Sequence, residues 1–206
     1  MSKSAALMLS IALTFPLLAS ATSNTFQNNG GRITSNGNTL SLSGSTLSSV
    51  SINGLTTSGS LGSVSFTTGT LMSGSLDDGG TFAAGGTFQV TANGSSGMTS
   101  GIVFQGTFTS PVTWKAVWHP TGDHHGDWTY QLSGRISGTL ANGQKVSANF
   151  IAFTFDIPHG GEFSSSVRVR DGMATTAAVP EPGTLALLGT GLVGLGMLGF
   201  RKRSVR

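Results

Sequence analysis

The sequence predicts an all-β fold, an antiparallel β-sandwich with an N-terminal signal helix and a C-terminal transmembrane helix. Three observations predict it. Apolar residues between positions 22 and 178 recur with period two, and no stretch there has a helical period. Asn-Gly dipeptides break the alternation into strand-sized pieces. The long uncharged apolar runs are confined to the two ends.

The alternation is clearest in the second half. Ile102, Phe104, Gly106 and Phe108 alternate with Val103, Gln105 and Thr107. Val112, Trp114, Ala116 and Trp118 share one face of the next strand, and Trp128, Tyr130 and Leu132 share one face after a loop. Val146, Ala148 and Phe150 continue the theme. Ile151, Phe153, Phe155 and Ile157 then take the opposite parity, which predicts a bulge near Phe150. Asn36-Gly37, Asn53-Gly54, Asn93-Gly94 and Asn142-Gly143 suit the positive φ of tight hairpin turns. The last predicts that residues 135–140 pair with 145–153. Many short strands with marked turns favour an antiparallel sandwich. A β-solenoid is the alternative for the Ser/Thr/Gly-rich stretch 39–76, although no repeat has a fixed period. Large aromatics cluster between Phe82 and Phe163, which places the core mainly in the second half. The strands near Leu40 and Val50 would cover its edge.

The 206 residues carry a formal charge of +3. The bases responsible are at the ends: Lys3, Arg201, Lys202, Arg203 and Arg206. Between Thr22 and Val179, six bases face seven acids and leave a balance of −1. Phosphate recognition needs clustered Lys and Arg, so no nucleic-acid partner is expected. Cysteine is absent, which removes disulfides, thiolate nucleophiles and Cys-based zinc sites. Only 9% of residues are charged, against about 25% in an ordinary soluble protein.

Each end has a processing pattern. Lys3, the apolar run 5–18 and the small-x-small triplet Ala19-Ser20-Ala21 form a secretory signal peptide, cleaved by signal peptidase after Ala21. This divides the chain into a signal peptide (1–21), a β domain (22–178) and a tail (179–206). The tail opens with Pro180-Glu181-Pro182, which stays extended because proline fixes φ and lacks an N–H. An uncharged run, 185–200, is marginally long enough to cross a bilayer. Arg201, Lys202 and Arg203 then act as a basic stop that holds its end in the cytoplasm.

In the order of these three parts the tail resembles the PEP-CTERM sorting signal of Gram-negative bacteria. The resemblance implies export through the inner membrane, transient anchoring there, and processing by an exosortase near Pro180-Glu181-Pro182. The protein would then be released or attached at the cell surface. It also implies an association with extracellular polysaccharide and biofilm. The same segment is found on some ice-binding proteins.

Candidate sites are few. Residues 118–128 gather His119, Asp123, His124, His125 and Asp127, and imidazole and carboxylate are ligands for Zn, Ni or Cu. Their spacing matches no established metal motif, and a polar hairpin loop turned by Pro120 and Gly122 accounts for the same residues. No cofactor is expected. Trp114, Trp118, Trp128 and Tyr130 would either stack on sugars or face the core, and their parity favours the core. The acids are scattered, and no Gly-x-Ser-x-Gly elbow is present. Thr67, Thr68 and Thr70 do not form the regular array of an ice-binding face, and Asn93-Gly94-Ser95 fits a glycosylation sequon as well as a turn. The sequence therefore predicts a non-enzymatic exported surface or matrix protein, structural or adhesive. The alternatives are a carbohydrate-binding module and a secreted metal-dependent hydrolase.

Overall fold

The computed structural model describes residues 23–52, 54–122, 125–155, 163 and 165–178. The signal helix, the transmembrane helix, Ala19, Ala21, Pro180, Glu181, Pro182, Arg201, Lys202 and Arg203 lie outside the described residues. So does Ile157.

Twelve strands are seen among the described residues: β1 (Ser23–Asn29), β2 (Arg32–Ser35), β3 (Leu40–Ile52), β4 (Leu55–Thr67), β5 (Leu71–Ser75), β6 (Gly79–Phe82), β7 (Gly85–Ala92), β8 (Gly101–Phe108), β9 (Val112–Gly122), β10 (His125–Leu140), β11 (Lys145–Thr154) and β12 (Ser166–Ala178). Four pairs of consecutive strands run on in one direction. β1 and β2 both pair with β3 and with β12. β4 pairs with β7 while β5 pairs with β6, and β8 and β9 both pair with β10. The result is eight antiparallel staves, each bonded to the next in sequence, with the last returning to the first through Ser23↔Ala177 to Asn29↔Asp171.

The sheet is therefore an up-and-down barrel, and the expected sandwich is corrected. Sandwich and barrel share the same antiparallel strands and the same alternation. They differ in whether the first strand bonds the last, a contact that local pattern does not report. The solenoid alternative is also replaced, because 39–76 forms ordinary antiparallel staves.

Closure depends on several local devices. Gly31, at the bend between β1 and β2, has φ +80°, and a Cβ there would stand 2.6 Å from the Ser43 carbonyl oxygen. Gly106 faces Gly138 across the β8–β10 ladder. A side chain on Gly138 would collide with the Gln105 carbonyl, so this pair lets two strands coil closely. The seam is also marked by buried polar groups. Asn24 N donates to Thr176 Oγ1 at 3.1 Å, and Thr176 Oγ1 donates back to Asn24 O; on the other side of β1, Asn28 Nδ2 donates to Ser45 Oγ of β3 at 2.7 Å.

The interior is filled with side chains, as expected for eight strands. Phe66, Phe88, Phe104, Phe108 and Phe150 make a central aromatic cluster, with Phe88 and Phe150 centroids 4.9 Å apart. The first half contributes fully: Phe26, Ile33, Leu40, Leu42, Leu47, Val50, Leu61, Val64 and Phe66 are buried. The expectation that early strands only cover an edge is thus corrected, since a closed barrel has no edge to cover. The outer face is dominated by Ser, Thr, Gln and Gly, the reverse of a membrane barrel with its apolar outer band.

The predicted bulge near Phe150 is absent. The β10–β11 ladder runs unbroken from Gln131↔Phe153 to Thr139↔Lys145, and Ala152 and Thr154 continue the inward row. Ile151 and Phe153 point outward instead, and Phe155, just past the strand, is exposed. The bulge found on this side is in β12, at Arg170, opposite Phe153 and Thr154. A different unpredicted bulge, at Val103, turns Ile102 outward beside Thr91.

Candidate functional site

Strands β9 and β10 are longer than the barrel wall requires, and together with β5 and β6 they project past one end. Within the wall their inward residues are core. Trp114 and Tyr130 are buried and stacked, with centroids 4.8 Å apart and planes at 11°. Beyond it, the inward row continues as the cross-strand pair Trp118 and Trp128, whose rings are 5.1 Å apart. The four aromatics considered for sugar stacking therefore divide into two core residues and two at the projecting end.

The outer face of the same strands holds a groove. Val117 and His119 on β9, Asp127, Thr129 and Gln131 on β10, Phe153 on β11 and Arg170 on β12 line an open depression of about 500 Å³. The strand pleat aligns these residues: Thr129 lies opposite Val117, Asp127 opposite His119 and Gln131 opposite Phe153. His119 Nε2 lies 2.8 Å from Thr129 Oγ1 in a hydrogen bond whose direction follows the imidazole tautomer. The Arg170 guanidinium stands 5.7 Å from the Phe153 ring centroid, and its Nε donates to Asp171 Oδ2 at 2.9 Å. The groove therefore combines one aromatic surface with an amide, a carboxylate, an imidazole, a hydroxyl and a guanidinium.

Of the proposed metal ligands, His119 and Asp127 meet as a cross-strand pair in this groove. Asp123 and His124 lie outside the described residues, and of His125 only the backbone is described, opposite Gly122. Among the described residues no three His, Cys, Asp or Glu side chains converge to hold a metal. Thr67, Thr68 and Thr70 also separate: Thr67 bonds Thr87 at the outer surface, whereas Thr68 is buried with its Oγ1 accepting from Leu40 N. Asn93 accepts from Ser95 N as a turn former.

Sequence pattern carries no site signal for Gln131 or Arg170, and only an indirect one for Phe153. The parity change at Ile151 was the available signal for Phe153, which faces outward because the strand carries apolar residues on both faces.

Residues 178–203 match the family model of the PEP-CTERM protein-sorting motif. The tail is a PEP-CTERM sorting signal. Pro180, Glu181, Pro182, Arg201, Lys202 and Arg203 all fall within the match. PEP-CTERM signals are C-terminal signals that sort proteins for export to the Gram-negative cell surface, and this one implies processing by an exosortase. No curated protein and no solved structure matches the chain. Among the described residues no helix is long and apolar enough to cross a membrane.

Proposed function

We propose that the chain is a non-enzymatic surface or extracellular-matrix protein whose barrel holds exopolysaccharide in the groove of His119, Asp127, Thr129, Gln131, Phe153 and Arg170. The observation that carries this reading is the placement of a half-buried, outward-facing aromatic, with the Arg170 guanidinium over its ring, among varied hydrogen-bonding side chains on one sheet surface. Sugars offer apolar C–H faces and a rim of hydroxyls, and such a surface answers both. The filled interior supports an outside site, because no lumen is left for a ligand. The sorting signal supports the setting, since export to the cell surface would put the barrel where extracellular polysaccharide can be met. In this account the tail enters the inner membrane only until an exosortase acts.

A glycan array probed with purified residues 22–178 tests the reading. Binding to one class of extracellular polysaccharide is expected. A folded barrel that binds none of them overturns it.

A further inference from the structure

The barrel has two unlike ends. At one end lie the β5–β6 turn with Asp77 and Asp78, and the start of β10 with Asp127. At the other lie both limits of the described chain, Ser23 paired with the stave that ends at Ala178. The connections 53–54, 93–100 and 141–144 share this second end and contain no Asp or Glu, while Lys145 follows directly.

Three large apolar side chains are left in solvent at the second end, while Met72, Trp118 and Phe155 are exposed toward the first. Leu55 is 78% exposed, Ile52 43% and Ile102 46%. Val50, Ile52, Leu55 and Met98 line one depression there, and Ile52, Val103 and Leu140 line another across the mouth. The sorting signal leaves from the same place. Only Val179 separates Ala178, laddered to Val146, from Pro180. Residues 179–184 span at most about 22 Å even when fully extended, and the uncharged run 185–200 begins directly after them.

We propose that this end of the barrel rests on the lipid surface while the tail is engaged, with Ile52, Leu55 and Ile102 entering the interface. The inference rests on the reading that the tail enters the membrane. The short tether keeps this end close to the headgroups. The exposed apolar side chains gain from partial immersion, and the connections at this end add no Asp or Glu to repel anionic headgroups, Glu181 of the tether being the acid nearest in sequence. The groove and the acidic end then face away from the membrane.

The chain has no cysteine, so single probes can be placed cleanly. Full-length protein carrying an environment-sensitive fluorophore at Leu55→Cys, Met72→Cys or Leu192→Cys would be reconstituted into vesicles of phosphatidylethanolamine and phosphatidylglycerol. Met72 is 56% exposed on β5 at the acidic end and serves as control. Blue-shifted, lipid-quenched emission at Leu55 and Leu192, but not at Met72, supports the proposal. A shift at Leu192 alone overturns it and leaves the membrane reading of the tail intact. No shift at Leu192 overturns that reading, and the tail-dependent end-on contact with it.

Discussion

Trp114 and Tyr130 lie face to face across β9 and β10, and both reach the same turn. Trp114 Nε1 donates to Leu76 O at 2.8 Å, and Tyr130 Oη donates to Asp77 O at 2.8 Å. Two adjacent carbonyls of the β5–β6 connection are thus held by two stacked rings, with Phe163 packed edge-on against both. The pair anchors the projecting end of the barrel to the core.

Tyr130→Phe keeps the stack and removes one hydrogen bond, so it should cost about 1 kcal/mol. Trp114→Ala removes the stack as well and should cost about 3–5 kcal/mol. Urea unfolding of purified residues 22–178 measures both. Equal effects from the two variants would contradict the anchoring role.

Closure makes a separate prediction. Thr176 Oγ1 both accepts from and donates to the Asn24 backbone at the seam. Thr176→Val leaves those buried groups without their side-chain partner and should cost about 1–3 kcal/mol. Thr175→Val, on the outward side of the same strand, should stay within about 0.5 kcal/mol. A neutral Thr176→Val in the same urea titration would mean that the seam does not depend on this contact.

Gly138→Val tests the close approach of β8 and β10. The added side chain meets the Gln105 carbonyl and has no open direction in the ladder. A loss of about 3 kcal/mol or more is expected, read as a lowered midpoint or loss of the folded state.

Much of this architecture was legible from short-range pattern. All four Asn-Gly turns lie where strands end, with Gly37, Gly54, Gly94 and Gly143 at positive φ. The predicted hairpin across Asn142-Gly143 is found, with Arg135 opposite Asn149, although 145–153 pairs with 131–139 rather than with 135–140. Barrel closure was not legible, because the Asn24–Thr176 contact joins residues 152 positions apart. The early core is less legible because Leu and Val, rather than aromatics, fill its inward positions. The groove is hidden in the sequence for a related reason: Phe153 is apolar yet faces out, and parity alone does not distinguish that from a bulge. The sequence spacing of His119 and Asp127 reads as a loop cluster, whereas the β9–β10 ladder makes them neighbours on a sheet surface.

Replacing Pro180, Glu181 and Pro182 with alanine should leave the tail uncleaved and the protein held in the membrane fraction. Intact-mass measurement checks this. The variant should retain residues 201–206, whereas the wild type recovered from the cell surface should lack them. An identical C-terminus in both would overturn the sorting role of the triplet.

The most direct test of the account is a calorimetric titration of extracellular polysaccharide, isolated from the producing bacterium, against the wild-type barrel and its Phe153→Ala variant. The wild type should bind. The variant should remain folded and bind at least about tenfold more weakly, equivalent to about 1.4 kcal/mol. Equal affinity in the two, or no binding by the wild type, would contradict the groove as the working site.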